Sequence, residues 1–412
     1  MNTAATPTAD RTPAWGATDR WLRRRLLARL DGLRHGTLRI VDAAGIVELG
    51  DGGAPPVTLQ IAGPGFWRAL ATHGSVGAAE SYMDGDWSCD DLVALVRLLV
   101  RNRDRLDAME GGGARLGGLA MRALHALRRN TRAGSRRNIA AHYDLGNEFF
   151  ALFLSPDLMY STAIFEHDDD TLEMASTRKL ERICAQLDLQ PGDRVVEIGT
   201  GWGGFALHAA ARHGCHVTTT TISAEQHALA TARIAAAGLQ DRVTLLRDDY
   251  RDLRGTYDKL VSIEMIEAVG ADHLPTYFTK LGELVRPGGR ALVQAITIED
   301  HRYAQALRSV DFIQRHVFPG SFIPSIAAML AAKTKSCDLA LIGQHDFGPS
   351  YARTLHAWRE RFLARLPEVH AQGFDARFVR LWEFYLAYCE GGFRERSIGV
   401  SQLLFAKPGG PA

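Results

Sequence analysis

The stretch "VVEIGTGWGGFALHAA", residues 195–210, combines an acidic residue with a glycine-rich turn in a pattern typical of nucleotide binding. Gly199, Gly201 and Gly203 follow an apolar, strand-like run, and a helical pattern begins directly after them. A glycine-rich loop between a strand and a helix lets the backbone approach a ligand closely. Because such a loop is a weak signal by itself, the residues around it decide which ligand it holds.

The neighbouring residues argue against a pyrophosphate and for a cationic cofactor. Glu197 lies just before the loop, where a carboxylate would oppose a pyrophosphate. Dinucleotide-binding folds carry an acid for the ribose about 20 residues further on, where this chain has only the threonines 219–221. The phosphate-binding motif of P-loop enzymes is absent from the sequence. The pattern therefore favours S-adenosylmethionine (SAM), which has a sulfonium and an amino group and no phosphate.

The elements around this turn predict an α/β fold. Strand and helix patterns alternate from about residue 187 onward, which is typical of a parallel, doubly wound sheet with ligands at the carboxyl ends of its strands. A mostly helical insertion is expected at about 300–333, and its apolar residues are interpreted partly as a cap and partly as the lining of an apolar channel. The predicted strands are "DRVVEIG", "HVTTTTIS", "RVTLLRD", "YDKLVSIEMI", "RALVQAITI", "CDLALIGQ" and "SIGVSQLLFAK".

Composition favours a globular protein without a membrane span. With 46% apolar and 23% charged residues, a chain of 412 residues can build the cores of two domains. The formal net charge of +1 predicts no long-range field, and no nucleic-acid partner is expected. Five scattered cysteines without a CxxC pair predict a reduced, cytosolic protein with no metal site.

Eight motifs in order resemble the cyclopropane-fatty-acyl-phospholipid synthase family, which includes the mycolic-acid methyltransferases. The similarity begins at about residue 75 and reaches the C-terminus. It implies a Rossmann-like class I SAM-dependent methyltransferase domain with a mostly parallel seven-stranded sheet and a helical lid, preceded by a small α+β domain. The motifs are "NIAAHYDLGNEFFALFLSPDLMYSTAIF", "EIGTGWGG", "TISAEQ", "DDYRDL", "SIEMIEAVG", "VDFIQRHVFPGSFIPS", "YARTLHAW" and "YLAYCEGGFRERSIGVSQLLF".

Four segments are predicted along the chain. They are a disordered lead-in at 1–18, an N-terminal α+β domain for lipid binding or dimerisation at 19–108, a basic glycine-rich linker at 109–137, and the catalytic domain at 138–412. From residue 111 to residue 137 the linker contains seven arginines and no acidic residue. It is either a solvated connection or a patch for anionic lipid headgroups.

The resemblance also implies which residues hold the cofactor. The methionine end and the sulfonium would lie against Tyr160 and Ser161, with close backbone approach at the glycines of the turn. The glycines of close approach are Gly199 and Gly201. Thr221 and Gln226 would bind the ribose, and Asp249 with Tyr250 the adenine.

The implied reaction is addition of the methyl carbon of SAM to the double bond of an unsaturated fatty acyl chain of a membrane phospholipid, which forms a cyclopropane through a carbocation. The base implied by the family is a bound bicarbonate held by a polar cup. The family more commonly has a cysteine at the position of Thr162 and a histidine at the position of Gln294. The glutamine that replaces the histidine is neutral at every pH. The cup residues are Thr162, Glu267, Gln294, Ile296 and Tyr351.

The sequence leaves three alternative functions open. The same cofactor and lipid give a methylene- or methyl-branched product if the cation is quenched differently. The cofactor loop also fits a soluble small-molecule methyltransferase, and the two replacements in the cup fit a lipid- or cofactor-binding protein without catalysis. For the family function, the expected partner is a phospholipid bilayer at the cytoplasmic face of the membrane, and the resemblance is compatible with a homodimer.

Overall fold

The computed structural model describes residues 15–53, 55–109 and 145–409. The predicted lead-in and the basic linker therefore lie mostly outside the described residues. Within these residues the chain forms two compact units. One contains the residues before 110 together with Ala376–Phe384, and the other contains those from 145 to 375 and from 385 onward. In the described part of the chain, no helix is long and apolar enough to cross a membrane.

The first unit contains a small four-stranded sheet with helices. Its strands lie in the order β2-β1-β3-β4, and only the β1–β3 pair is parallel. The buried rings of Phe66, Trp67, Tyr82 and Trp87 form much of its core. Its elements are α1 Ala17–Leu30, β1 Thr37–Asp42, β2 Gly45–Gly50, β3 Val57–Ile61, α2 Gly65–Met83, β4 Trp87–Cys89, α3 Leu92–Arg101 and α4 Arg103–Met109.

The second unit contains a seven-stranded sheet, which confirms the predicted α/β class. The strand order is β10-β11-β9-β8-β5-β6-β7. Pairs among β5 to β9 are parallel, whereas β11 is antiparallel to both of its neighbours. The strands are β5 Arg194–Ile198, β6 His216–Thr220, β7 Val243–Leu246, β8 Tyr257–Ile263, β9 Val285–Ile298, β10 Ala340–Asp346 and β11 Ile398–Ala406.

Helices flank this sheet and make up the predicted insertion. The crossovers between parallel strands are helical, because parallel neighbours need a long connection. In the insertion, short helices alternate with irregular chain. The helices are α5 Asn147–Ala151, α6 Leu172–Leu187, α7 Gly204–His213, α8 Ala224–Ala236, α9 Leu274–Leu284, α10 Asp300–Ala306, α11 Phe312–His316, α12 Ile326–Thr334, α13 Gly348–Ala364, α14 Leu366–Ala371 and α15 Ala376–Arg394, the last beginning in the segment grouped with the first unit.

One strand ends earlier than the sequence pattern predicts. The apolar run "YDKLVSIEMI" predicts a strand through Ile266, but β8 ends at Ile263. The next residue, Glu264, has a φ of +48°, in the left-handed region that a strand cannot use. Its amide donates to the carbonyl oxygen of Gln294 at 2.8 Å, and a 3₁₀ turn follows at Ile266–Ala268. The chain thus turns away at the carboxyl edge of the sheet.

Candidate functional site

The glycine-rich turn has the backbone geometry that close ligand approach requires. Gly199 and Gly201 have φ values of +98° and +53°, which glycine adopts without a side-chain clash. A Cβ atom on Gly199 would lie 3.1 Å from Cγ of Met265, whereas one on Gly201 would meet nothing within 4 Å. The turn is therefore packed on one side and open on the other, and helix α7 begins directly behind it.

The residues predicted at the ribose and the adenine follow the next two strands. Thr221 donates from Oγ1 to Oε1 of Gln226 at 2.8 Å, and both side chains are buried. Asp249 accepts two hydrogen bonds from the guanidinium of Arg251, at 2.7 and 2.6 Å. The hydroxyl of Tyr250 is buried and has no hydrogen-bond partner among the described residues. The Tyr250 hydroxyl is thus a buried donor without a hydrogen-bond partner in the described part of the chain, and it belongs to the residue next to the fixed Asp249 carboxylate. This arrangement fits a ligand with polar ring atoms.

The residues predicted at the methionine end lie against a buried lysine. Ser161 Oγ accepts a hydrogen bond of 2.8 Å from Nζ of Lys179, which has no exposed surface. Burial lowers the pKa of Lys179 to about 8, although nearby carboxylates, including Glu197 and Glu264, oppose this effect. Burial also raises the pKa of Glu197 to about 8. Acidic and basic groups therefore lie together behind the glycine-rich turn.

Aromatic rings surround Tyr160. Its hydroxyl lies 3.0 Å from the hydroxyl of Tyr385, and its ring centroid lies 5.3 Å from that of Trp358. Phe318, from the predicted insertion, lies 6.3 Å from Tyr160 and 5.9 Å from Tyr385. These rings form an apolar wall with few hydroxyl groups, as the channel interpretation of the insertion requires.

Three of the predicted cup residues converge on a carboxylate that sequence reasoning did not select. Glu264 Oε1 accepts from the amide nitrogen of Thr162 at 3.0 Å and from Nε2 of Gln294 at 2.7 Å. Glu264 Oε2 accepts from the hydroxyl of Tyr351 at 2.8 Å. The signal was present in the sequence, because Glu264 stands three positions before Glu267 in "SIEMIEAVG".

The other two cup residues form an adjacent pair. Glu267 Oε1 accepts from the amide nitrogen of Ile296 at 2.6 Å, and Oε2 is buried without a hydrogen-bond partner among the described residues. Burial raises the pKa of Glu267 to about 8, and the neighbouring charge of Glu264 adds to this effect. A neighbouring negative charge opposes the ionisation of a buried carboxylate.

Two further buried side chains support the cup. Gln402 Nε2 donates to Oε1 of Gln294 at 3.0 Å, and the two residues face each other across β9 and β11. Lys179 belongs to the buried stripe of α6, together with Ala175, Leu180 and Ile183. A lysine at an apolar position of the helical repeat was the sequence signal for a buried charge.

Away from the cup, the fold brings together residues that show no metal spacing in the sequence. The ligand atoms of Cys184, His208 and His213 lie within 4.8 Å of one another. Glu181 contacts both histidines, at 3.0 and 3.3 Å. Cys184 is buried in an apolar cluster, which raises the pKa of its thiol far above the ordinary value. Burial also lowers the pKa of the His208 imidazole, so Glu181 faces a histidine whose charged form is disfavoured.

The sheet order, the glycine-rich turn and the polar groups at the carboxyl edge define a SAM-dependent methyltransferase. The sequence model of the family described as mycolic acid cyclopropane synthetase matches residues 130–403. The chain belongs to this family, which confirms the resemblance and the cofactor predicted from the motifs.

Relatives match along most of the chain. Tuberculostearic acid methyltransferase UfaA1 of Mycobacterium tuberculosis is 40% identical over 362 residues, covering 84% of this chain and 82% of that protein. Cyclopropane-fatty-acyl-phospholipid synthase of Escherichia coli is 36% identical and covers 86% and 89%, respectively. The solved structure of the cyclopropane synthase MmaA2 from Mycobacterium tuberculosis has a TM-score of 0.62 at 29% identity and covers 66% of this chain and 98% of its own. CmaA1, solved with SAH and CTAB, also has a TM-score of 0.62, at 27% identity.

Proposed function

We propose that the protein adds the methyl carbon of SAM to the double bond of an unsaturated acyl chain of a membrane phospholipid, with a cyclopropane as the product. The observation that carries the proposal is the apolar aromatic wall around Tyr160, which adjoins the polar cup at Thr162. The named activities of the cyclopropane synthase and fatty-acyl relatives support an acyl substrate.

The residues of the glycine-rich turn and the strand ends that follow it hold the cofactor in this proposal. Backbone at Gly199 and Gly201 lies along it, Thr221 with Gln226 binds the ribose, and Asp249 with Tyr250 binds the adenine. When bound, SAM supplies an electrophilic methyl group on a sulfonium, and S-adenosylhomocysteine is the leaving group.

The aromatic wall positions the alkene and excludes water. An isolated double bond is a weak nucleophile, so alignment with the methyl group accounts for much of the rate; such positioning lowers a barrier by about 7–11 kcal/mol. The rings of Tyr160, Trp358 and Phe318 present π faces that stabilise a positive carbon by about 2 kcal/mol each when water is excluded. A base in the cup then removes a proton and fixes the product.

A methylene- or methyl-branched product is the second candidate. Two observations favour it: the altered cup at Thr162 and Gln294, and the 40% identity to a relative that is named a methyltransferase. Ring closure and a methylene branch differ in the carbon that carries the charge when the proton leaves, so they differ in whether a hydride moves first. A saturated methyl branch requires, in addition, a two-electron reductant that donates a hydride.

The test uses purified protein, SAM with a labelled methyl group, and vesicles of mono-unsaturated phospholipid. We expect label in the acyl chains and none with saturated vesicles. Mass spectrometry of lipids from a bacterial host without its own cyclopropane synthase separates ring, methylene and methyl products. Transfer of label to small metabolites, with unlabelled lipids, would favour the soluble-substrate alternative.

Peripheral binding to the cytoplasmic face of the membrane is part of the proposal. The arginine-rich linker at 109–137 supplies the positive charge, at about 1 kcal/mol for each basic residue near an anionic surface. Binding to vesicles with anionic lipid should weaken as salt is raised, because salt screens such attractions. Binding that is insensitive to salt would contradict this docking mode. The assignments of the first unit to lipid binding or dimerisation, and of the chain to a homodimer, are proposals of the same kind.

A further inference from the structure

The first observation is that the predicted anion cup already contains an anion from this chain. Glu264 accepts hydrogen bonds from three of the residues that were predicted to hold bicarbonate, Thr162, Gln294 and Tyr351. These donors lie between 2.7 and 3.0 Å from its two oxygens, which is the range of charge-assisted hydrogen bonds. One carboxylate thus satisfies all three.

The second observation is that the amide of Gln294 is fixed with its NH2 group toward Glu264. Gln402 donates to Oε1 of Gln294, so a flipped amide would lose this bond and face the carboxylate with its own oxygen. Both glutamines are at most 1% exposed, and water cannot replace the lost partner. The cup is therefore built for an acceptor at the position of Glu264.

The third observation is backbone strain at Glu264 itself. A φ of +48° is unfavourable for any residue with a Cβ atom and favours glycine. Strained backbone of this kind concentrates at functional sites, where the surrounding structure holds it in place. Here the strain directs a carboxylate into the cup, whereas Met265, the next residue, packs against Gly199 of the cofactor turn.

The charges around Glu264 suit a group that accepts protons. Burial raises the pKa of Glu264, while the hydrogen bonds from Gln294, Tyr351 and Thr162 and the charge of Lys179 lower it. Glu267 is the other carboxylate nearby, and its own pKa is raised by Glu264. A partly exposed carboxylate with a raised pKa is a stronger base than one in water.

We propose that the carboxylate of Glu264 takes the place of bicarbonate in this chain and is the base of the reaction, an inference that rests on the proposed function. After methyl transfer, one former alkene carbon carries the new methyl group and its neighbour is positive. Glu264 takes a proton from that methyl group. The C–H electron pair then closes the ring, or forms the methylene double bond once a hydride has moved between the two carbons. The proton leaves to solvent before the next turnover.

The test compares the wild-type protein with Glu264→Gln and Glu264→Gly on unsaturated vesicles, in buffer freed of bicarbonate and in buffer supplemented with it. We expect wild-type product formation to be equal in both buffers. Glu264→Gln keeps the size of the side chain and should slow product formation by about 100-fold or more, the usual contribution of a general base, while SAM binding persists. Glu264→Gly suits the φ of +48° and should fold, and added bicarbonate should restore its activity.

A binding measurement separates this inference from the proposed function. We expect ¹³C-labelled bicarbonate to show exchange broadening with Glu264→Gly and none with the wild type, whether or not any lipid is modified. A wild type that methylates no lipid would refute the proposed function, and the broadening would still decide what fills the cup. Bicarbonate-dependent wild-type activity, bicarbonate binding to the wild type, or full activity in Glu264→Gln would each overturn the assignment of Glu264.

Discussion

Tyr351→Phe tests whether Glu264 is held as an ionised base. The substitution removes only the hydroxyl that donates to Glu264 Oε2 at 2.8 Å. A hydrogen bond to a charged group contributes about 1.5–3 kcal/mol, and 1.36 kcal/mol corresponds to one pKa unit. Since the lost bond stabilises the ionised form, the pKa of Glu264 rises further. The base acts when it is deprotonated, so activity increases as the pH rises through its pKa. In Tyr351→Phe this increase should occur about one to two pH units higher than in the wild type.

The assay is the initial rate of formation of modified lipid against pH, at saturating SAM. Two charged groups face Glu264, namely Lys179 and Glu267. The substitution leaves both in place, so their effects on the pKa of Glu264 cancel when the two pH profiles are compared. Tyr385→Phe is the matched control, because its hydroxyl lies against that of Tyr160 and makes no hydrogen bond to Glu264. A low-pH limb of Tyr351→Phe that coincides with that of the wild type would refute the reasoning.

Three further substitutions have defined outcomes. Gly204→Ala should lower the melting temperature, because its Cβ would clash with the sulfur of Met159 and lie 2.9 Å from the backbone oxygen of Asp157; Gly343→Ala, with only ordinary contacts, is the control, and equal melting temperatures would contradict the packing argument. Gln402→Leu leaves Oε1 of Gln294 buried without a donor, so thermal unfolding should show a loss of about 1–3 kcal/mol, and an unchanged stability would mean that the amide finds another partner. Arg251→Met removes the guanidinium that donates two hydrogen bonds to the Asp249 carboxylate, and calorimetry should show weaker SAM binding; unchanged affinity would show that this ion pair does not organise the adenine site.

The fold was predictable because its signals are local. Apolar runs of strand length, such as Val195 to Ile198, alternate with helical repeats and are separated by glycine turns, so the class of sheet follows from the pattern. The end of β8 was not predictable in this way. The apolar residues on either side of Glu264 continue the strand pattern, whereas the contacts that accompany the left-handed turn, such as those with Gln294, come from distant parts of the sequence.

The candidate site was partly predictable for the same reason. Motif order identified Thr162, Gln294 and Tyr351, and these residues do lie together in the structure. What they bind was not predictable, because Glu264 reaches them through a backbone conformation that no local rule assigns to glutamate. The partners of Lys179 were not predictable either. The helical repeat places this lysine in the core but does not indicate which hydroxyl or carboxylate it contacts.

The glutamine pair across β9 and β11 has a consequence for how such cups change during evolution. Gln294 offers its NH2 group to the carboxylate only because Gln402 donates to its oxygen. A histidine at position 294 has no amide oxygen, so Gln402 would lose the acceptor that it has here. The two positions should therefore be inherited as a pair, whereas Glu264 lies on a separate segment and can be exchanged by itself.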